Sequence, residues 1–100
     1  MTVQAKLKGD VDRRTLLEAF ADFYREAPFV RVIDDTPMVK NVVGSNYAQI
    51  GLASDGDTIA VFSVIDNLLK GAAGGAVQWV NRMIGVEETA GLSSAGPGWI

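Results

Sequence analysis

Cysteine and histidine are both absent from this sequence of 100 residues. The lack of cysteine excludes disulfides and thiolate nucleophiles. The lack of histidine removes the commonest general base and the commonest metal ligand. We therefore expect neither catalytic residues nor a metal site within this chain.

The chain also lacks an excess of basic residues and a long apolar run. Nine Lys and Arg residues stand against twelve Asp and Glu residues, which gives a net charge of −3. This balance argues against binding to nucleic acids or to anionic membranes. No apolar stretch approaches the ~18 residues of a membrane span, and no signal peptide opens the chain. We expect a cytoplasmic protein with no membrane partner.

The residues that are present indicate one small globular domain that covers residues 1–100. Apolar residues make up 48% of the chain and charged residues 21%, which is typical of a folded domain. Neither an internal repeat nor an interdomain linker is visible.

The first half of the chain predicts strands around one helix. Alternating side chains predict a strand at Thr2–Leu7, and Asp12 is a suitable N-cap for a helix at Arg13–Glu26. Further strands are predicted at Phe29–Ile33 and Lys40–Val43. The helix places four large side chains on one face, for which we expect core packing: Leu16, Phe20, Phe23 and Tyr24.

A β-hairpin is predicted next, with strands at Tyr47–Ala53 and Thr58–Ile65. Asp55-Gly56 between apolar strands favours a type I′ turn, in which both central residues have positive φ. The second strand is almost entirely apolar, so we expect a central strand that is covered on both faces.

The adjacent carboxylates Asp34 and Asp35 allow two interpretations. Paired carboxylates can perform acid–base chemistry or hold a divalent metal. These two directly precede Thr36-Pro37, where Asp commonly makes local hydrogen bonds in a turn. The turn is the favoured interpretation.

The most informative stretch is Ser63–Gly85, an apolar strand that turns at Asp66-Asn67 into a helix. Asp66 is a good N-cap, and a buried face is predicted for the helix. Its members are Leu69, Ala73, Ala76, Val80 and Ile84. Three glycines, Gly71, Gly74 and Gly75, each cost about 1 kcal/mol relative to alanine in a helix interior. A closely packed neighbour or a ligand at the helix start would explain them.

Taken together, these elements predict an α+β fold, with a mixed and mostly antiparallel sheet that has its helices on one face. The opposite face of the sheet is then uncovered, so we expect a second subunit or another domain to bury it. Two interpretations stay open for the polar loop Gly44–Tyr47: it contacts a ligand, or it is a plain bend.

Four segments carry a resemblance to a known family: APFVRV, GSNYAQIG, SVIDNLLKGAAGGAVQWVN and GVEETAGL. They resemble the C-terminal part of N-acetyl-γ-glutamyl-phosphate reductases, and the TVQAKL strand fits just upstream. The resemblance covers all but the last few residues. It implies part of a glyceraldehyde-3-phosphate-dehydrogenase-like α+β domain.

The resemblance implies a role in NADPH-dependent reduction of an acyl phosphate to a semialdehyde, in arginine biosynthesis. Family members use a cysteine nucleophile and a histidine acid–base that lie upstream of the matched region. This chain has neither residue type and no G-x-G-x-x-G motif. It is therefore expected to be a C-terminal fragment that is not catalytic alone and whose missing partner is a dinucleotide-binding domain.

Six site residues are implied by the same resemblance. Asn67 would bind the nicotinamide carboxamide of NADP, although it is also placed to cap the helix. Lys70 and Gly71 would line the cofactor site. Ser45, Asn46 and Tyr47 match a loop on the substrate side. The chain departs from the family pattern at Val43, where many members have Arg, and at Gly75, where Gln is common.

Other functions stay open at this point. The family includes lysine-pathway reductases that act on a carrier-protein-linked substrate. The chain could also be a non-enzymatic oligomerisation module, a homo-oligomer through its sheet, or an independent small-molecule binder. The tail Ser93–Ile100 is ambiguous, since Trp99 and Ile100 either pack on the domain or do not.

Overall fold

The computed structural model describes residues 1–97, so Trp99 and Ile100 lie outside the described residues. The elements follow in the order β1 (Thr2–Lys6), α1 (Arg13–Phe23), β2 (Val30–Val32), a 3₁₀ turn (Val39–Asn41), β3 (Ala48–Asp55), β4 (Thr58–Val64), a π-helical turn (Leu69–Ala73) and α2 (Gly74–Met83). No helix within residues 1–97 is long and apolar enough to cross a membrane.

The four strands form one sheet in the order β1-β4-β3-β2. β4 pairs antiparallel with β1 and β3, and β2 pairs parallel with β3. The predicted α+β fold with a mixed, mostly antiparallel sheet is confirmed. Because side chains alternate across a strand, Ile59 and Val61 of β4 lie on the α1 face, whereas Ala60 and Phe62 lie on the opposite face.

The helix α1 covers the first of these faces. The Asp12 carboxylate accepts a hydrogen bond from the Thr15 N–H at 2.7 Å, as predicted for the N-cap. Leu16 packs with Leu52 and Ile59 in the buried core, and Phe20 packs against that cluster.

The prediction for Phe23 was wrong, because its side chain is 80% exposed. The helix ends at Phe23 rather than at Glu26. At this last helical position the ring contacts Tyr24 edge-to-face, with 4.9 Å between the ring centroids.

Two predictions about strands also need correction. Lys40–Val43 is not a strand, because local hydrogen bonds from Asn41 N–H to Met38 O and from Val42 N–H to Val39 O close a 3₁₀ turn. β4 is central but is not covered on both faces, since only Ile59 in it is buried. The face opposite α1 has no helix packed on Ala60 and Phe62 within residues 1–97.

The hairpin between β3 and β4 is confirmed, but its turn type is not. Asp55 pairs with Thr58, so Gly56 and Asp57 are the two central residues. Gly56 has a φ of 57°, and no non-glycine residue among those described has a positive φ. A positive φ at the first central position alone is the pattern of a type II′ turn, which glycine favours there.

The segment after β4 turns sharply and becomes helical, as predicted. The Asp66 carboxylate accepts hydrogen bonds from the N–H groups of Leu68 and Leu69, both at 2.8 Å. The first helical turn is wide, with bonds from Gly71 N–H to Asp66 O and from Ala73 N–H to Leu68 O. The chain then tightens into α2 at Gly74.

The face predicted to be buried in this helix is exposed within the chain. Val80 is 51% exposed and Ile84 is 67% exposed, whereas the buried residues of α2 are Gly74 and Asn81. The reason is that the helix attaches through polar groups. The Asn81 amide donates hydrogen bonds to Glu88 O at 3.2 Å and to Ala90 O at 3.0 Å.

Replacement of Asp66 by alanine is expected to lower the unfolding temperature. Hydrogen bonds from the backbone N–H of Gly44, and then of Leu69 and Leu68, hold the pKa of Asp66 below its ordinary value of 3.8. A lowered pKa in the folded state contributes stability above the unfolded pKa, and this contribution is lost as the pH falls through the folded value. The difference between the wild type and Asp66→Ala should therefore be full at about pH 6 and shrink below about pH 4.

Thermal unfolding followed by circular dichroism between these pH values measures the effect. Asp10→Ala is the matched control, since Asp10 is exposed and makes no side-chain hydrogen bond among the described residues. A difference that stays constant down to the acid limit would contradict the assigned role.

Replacement of Gly74 by alanine is expected to destabilise the chain by about 1–2 kcal/mol. A β-carbon at this position would lie 2.9 Å from Leu69 O and would overlap the buried amide oxygen of Asn46. Overpacking costs about 1–3 kcal/mol, which outweighs the ~1 kcal/mol gain in helix propensity.

Urea unfolding measures this change, with Gly9→Ala as the control because a β-carbon on Gly9 meets nothing within 4 Å. In the Asn46→Ala background the cost of Gly74→Ala should become smaller but not vanish, because the 2.9 Å approach to Leu69 O remains. Equal costs in both backgrounds would show that Asn46 is not the obstacle.

Candidate functional site

The loop Gly44–Tyr47 and the start of the helical segment are joined by one side chain. Oδ1 of Asp66 caps the helical turn, and Oδ2 accepts a hydrogen bond from Gly44 N–H at 2.9 Å. Gly44 has a φ of 74°, which glycine adopts readily. The two segments that the sequence indicated as ligand-facing therefore meet at Asp66.

Ser45 maintains the shape of this loop. Its hydroxyl donates to Val42 O at 2.6 Å and lies 3.3 Å from Tyr47 N, from which it accepts a hydrogen bond. The residue is only 2% exposed. Since both bonds are local, the hydroxyl is occupied within the loop.

Asn46 lies between the loop and α2 and is 6% exposed. Its amide Nδ2 donates to Leu92 O at 3.4 Å, but its Oδ1 is buried without a hydrogen-bond partner among the described residues. This oxygen packs closely against Gly74, and the contact explains why position 74 has no side chain. A cavity of ≈ 290 Å³ opens beside this contact, lined in part by Leu69, Val77 and Leu92.

Lys70 belongs to a polar chain that crosses α2. Its ammonium donates to Oε1 of Gln78 at 2.6 Å, and the Gln78 amide donates to Oε2 of Glu88 at 2.7 Å. The ammonium also lies 5.2 Å from the centroid of the Phe29 ring, a cation–π distance. Burial lowers the pKa of Lys70, and the Glu88 carboxylate opposes this shift.

Asn67 and Gly71 lie on an exposed part of the same helical segment. Within residues 1–97 the Asn67 amide makes no hydrogen bond. A β-carbon on Gly71 would lie 3.3 Å from Asp66 O and 3.8 Å from Asn67 Oδ1. The glycine therefore avoids a tight contact with the Asp66 carbonyl and leaves open a position at contact distance from this amide. A free amide has one donor group and one acceptor, which fits reciprocal pairing with a carboxamide.

Tyr47 lies at the far end of the loop and packs on Phe29. The two rings meet edge-to-face with 5.4 Å between their centroids, and the guanidinium of Arg31 lies 5.0 Å from the Tyr47 centroid. Phe29 is fully buried, so it fixes the position of Tyr47.

The structure thus brings the loop to Gly74 through Asn46, and to Lys70 through the contacts of Tyr47 and Lys70 with Phe29. Asn67 and Gly71 are exposed and stand apart from these contacts. Sequence reasoning missed Phe29, Gln78 and Glu88. Gln78 stands eight residues after Lys70, a spacing of about two helical turns that could have indicated the contact. The sequence contains no periodic signal for Glu88, which lies beyond the helix.

Asp35 makes the local hydrogen bond that the turn interpretation predicted, whereas Asp34 pairs with a residue of α1 that is 21 positions away. Asp35 Oδ1 accepts a hydrogen bond from Thr36 N–H at 2.7 Å, and Asp34 forms an ion pair with Arg13. Among residues 1–97, no group of three or more acidic side chains could hold a metal ion.

Comparisons with known proteins agree with this architecture. Residues 1–67 match the family model described as "Semialdehyde dehydrogenase, dimerisation domain". The chain is 52% identical over 93 residues to the N-acetyl-gamma-glutamyl-phosphate reductase of Streptococcus thermophilus, an alignment that covers 91% of this chain and 27% of the relative. It is 46% identical over 98 residues to the reductase of the same name from Corynebacterium aurimucosum, covering 94% of this chain and 28% of that protein.

The archaeon Methanothrix thermoacetophila has a relative of the same name that is 48% identical over 83 residues. That alignment covers 81% of this chain and 24% of the relative. The chain therefore spans about a quarter of the length of the curated relatives it matches. Since the family model covers two thirds of the sequence, this chain belongs to the semialdehyde dehydrogenase dimerisation-domain family.

Proposed function

We propose that this chain is the C-terminal substrate and dimerisation part of an N-acetyl-γ-glutamyl-phosphate reductase that depends on NADP. In this proposal the complete enzyme reduces an acyl phosphate to a semialdehyde in cytoplasmic arginine biosynthesis. The chain alone is inactive, because it contains neither cysteine nor histidine. The names of the relatives support the arginine pathway over a lysine-pathway substrate carried by a protein.

The observation that carries the proposal is an apolar helix face that nothing within residues 1–97 covers. Val80, Met83 and Ile84 lie on one side of α2 and are all exposed. On the opposite side, Gly74 packs against Asn46 of the loop, and the Asn81 amide bonds to Glu88 O and Ala90 O of the segment after the helix. A helix with one polar, attached face and one apolar, exposed face needs a second surface to cover it. The dinucleotide-binding domain that we propose as the missing part would supply that surface.

The free amide of Asn67 stands at the beginning of this helical segment. We assign to it the binding of the nicotinamide carboxamide, with Gly71 leaving space beside it. When bound, NADPH would supply the hydride for the reduction. Lys70 is engaged by Gln78 and Phe29, so it would contact the cofactor through one of the two other N–H groups of its ammonium.

The uncovered face of the sheet is assigned to subunit association. Ala53, Ala60 and Phe62 lie near its centre, on the opposite side from α1. The loop at Asp35–Pro37 crosses part of this face at Gly51, where a β-carbon would overlap Asp35 O. Ala53 is exposed and Ala60 and Phe62 are half-buried, as a surface that pairs with another sheet requires.

A second candidate function is a non-enzymatic oligomerisation module. The description of the matching family as a dimerisation domain favours it over a small-molecule binder. The two functions differ in what the exposed face of α2 contacts. A module would not need that face to meet a dinucleotide-binding domain.

The enzymatic role can be tested in a chimera. This chain replaces the corresponding quarter of the Streptococcus thermophilus reductase, and NADPH-dependent turnover is measured. We expect the chimera to be active and Asn67→Ala to raise the KM for NADPH about tenfold, because one reciprocal hydrogen-bonded pair contributes on the order of 1–2 kcal/mol.

Lys8→Ala is the control, since Lys8 is exposed and forms no ion pair among the described residues. Asn67→Asp should behave like Asn67→Ala, because the carboxylate cannot donate a hydrogen bond. A folded but inactive chimera would refute the enzymatic proposal. An unchanged KM in both variants would refute only the role of Asn67.

The oligomeric role can be tested on the chain alone by light scattering coupled to size-exclusion chromatography. We expect the mass of a dimer or larger oligomer. Ala60→Glu should reduce it to the monomer mass, because the substitution introduces a charge at the centre of the uncovered face.

Ala21→Glu places the same charge on an exposed position of α1 and should leave the mass unchanged. A wild type that is a folded monomer would contradict the assignment of this face. A loss of association in both variants would mean that α1, or net charge alone, controls it.

A further inference from the structure

Arg31 is distinguished from the other arginines by what surrounds it. The chain contains five arginines, and four of them lie within 4.0 Å of a carboxylate: Arg13, Arg14, Arg25 and Arg82. Arg31 has no carboxylate partner among residues 1–97. Its guanidinium lies against the ring of Tyr47 instead.

Buried residues hold the aromatic ring against which this exposed guanidinium lies. Phe29 is fully buried and holds the Tyr47 ring edge-on. Ser45 fixes the same loop by accepting a hydrogen bond from Tyr47 N–H. A planar guanidinium that rests on a fixed aromatic ring loses less conformational freedom when it binds a partner than one that extends into water.

A cavity of ≈ 310 Å³ opens at this point, on the face of the sheet opposite α1. The polar residues that line it are Arg31, Asn41, Ser45, Tyr47 and Gln49. No acidic residue is among the lining residues described, although acidic residues outnumber basic ones in the chain as a whole. The cavity therefore presents one cation and several hydrogen-bond donors.

We propose that Arg31 binds an oxyanion in this cavity, either a carboxylate or a phosphate group. The guanidinium fork matches both groups through two parallel hydrogen bonds. The Asn41 amide donates one N–H to Gln49 Oε1 at 3.5 Å, and its second N–H supplies a further donor. The Ser45 hydroxyl takes no part, since it is occupied within its loop. Assigning this anion to the substrate rests on the proposed function, whereas anion binding by this chain does not.

The test is a titration of the chain with inorganic phosphate and, separately, with acetate. Proton–nitrogen NMR at constant ionic strength follows the side-chain Nε–H of Arg31 and the backbone N–H of Tyr47. We expect saturable shifts at both residues. Saturation by phosphate alone identifies a phosphate site, and saturation by both anions identifies a general oxyanion site.

Three variants make the test specific. Arg31→Met should weaken anion binding at least tenfold. Gln49→Glu should do the same, because Gln49 lies opposite Arg31 on the neighbouring strand β3 and its new carboxylate would pair with the guanidinium. Gln49→Glu keeps Arg31 in place, so it tests the proposal even if Arg31→Met does not fold. Arg14→Met is the control, since Arg14 pairs with Glu18 on α1, and it should bind like the wild type.

Three results would overturn the proposal. The first is the absence of saturable shifts with either anion. The second is an equal loss of binding in Arg14→Met, which would indicate only general electrostatics. The third is a combination of two observations: Arg31→Met has a lower mass than the wild type in light scattering, and the wild type does not respond to anions. This combination would mean that Arg31 pairs with a carboxylate of a second copy. An inactive chimera would leave all of these measurements interpretable.

Discussion

The structure depends on the carboxylate of Asp66, which connects two segments that are far apart in the sequence. One oxygen caps the helical turn after β4, and the other holds Gly44 at the start of the loop that leads into β3. The loop that it holds carries Asn46, whose side chain packs against Gly74 at the start of α2. The hydrogen bonds of Gln78 and Asn81 join α2 to the segment that follows it, at Glu88 and Ala90. Because charge-assisted hydrogen bonds to backbone N–H groups are strong, one side chain can fix both segments.

Most of the sheet and its first helix could be predicted from the sequence, because they follow from local patterns. Alternation in Thr2–Leu7, the cap at Asp12 and the glycine turn between β3 and β4 each depend on neighbouring residues alone. The type of that turn could not be predicted, since the register that moves Gly56 to the first central position is set by pairing along the whole hairpin. The strand prediction for Lys40–Val43 was wrong for a related reason. Local hydrogen bonds between residues i and i+3 outweigh the strand propensity of this segment.

The helix α2 shows where pattern reasoning reaches its limit. The apolar periodicity of Ala76, Val80 and Ile84 correctly identifies a helix with one apolar side, but it does not say what covers that side. Within this chain the attached side is the polar one, held by Asn81, Gln78 and the glycine at position 74. The candidate site was only partly predictable for the same reason. Loop residues were found by their sequence, whereas the contacts of Lys70 with Phe29 and Gln78 require the fold.

Two surfaces are uncovered within the part of the chain that the structure describes, and their chemistry differs. The face of α2 is strongly apolar, so its partner must be present whenever the chain is folded and functional, as a covalently linked domain would be. The sheet face opposite α1 combines small apolar side chains with the cavity at Arg31. Such a face suits an interface in which a partner covers the apolar part and a ligand binds in the cavity. A partner subunit would contact the sheet, whereas a dinucleotide-binding domain would contact α2. The loop Gly44–Tyr47, tied to both by Asp66 and Tyr47, would then lie between them, where an anionic substrate could be reached from either side.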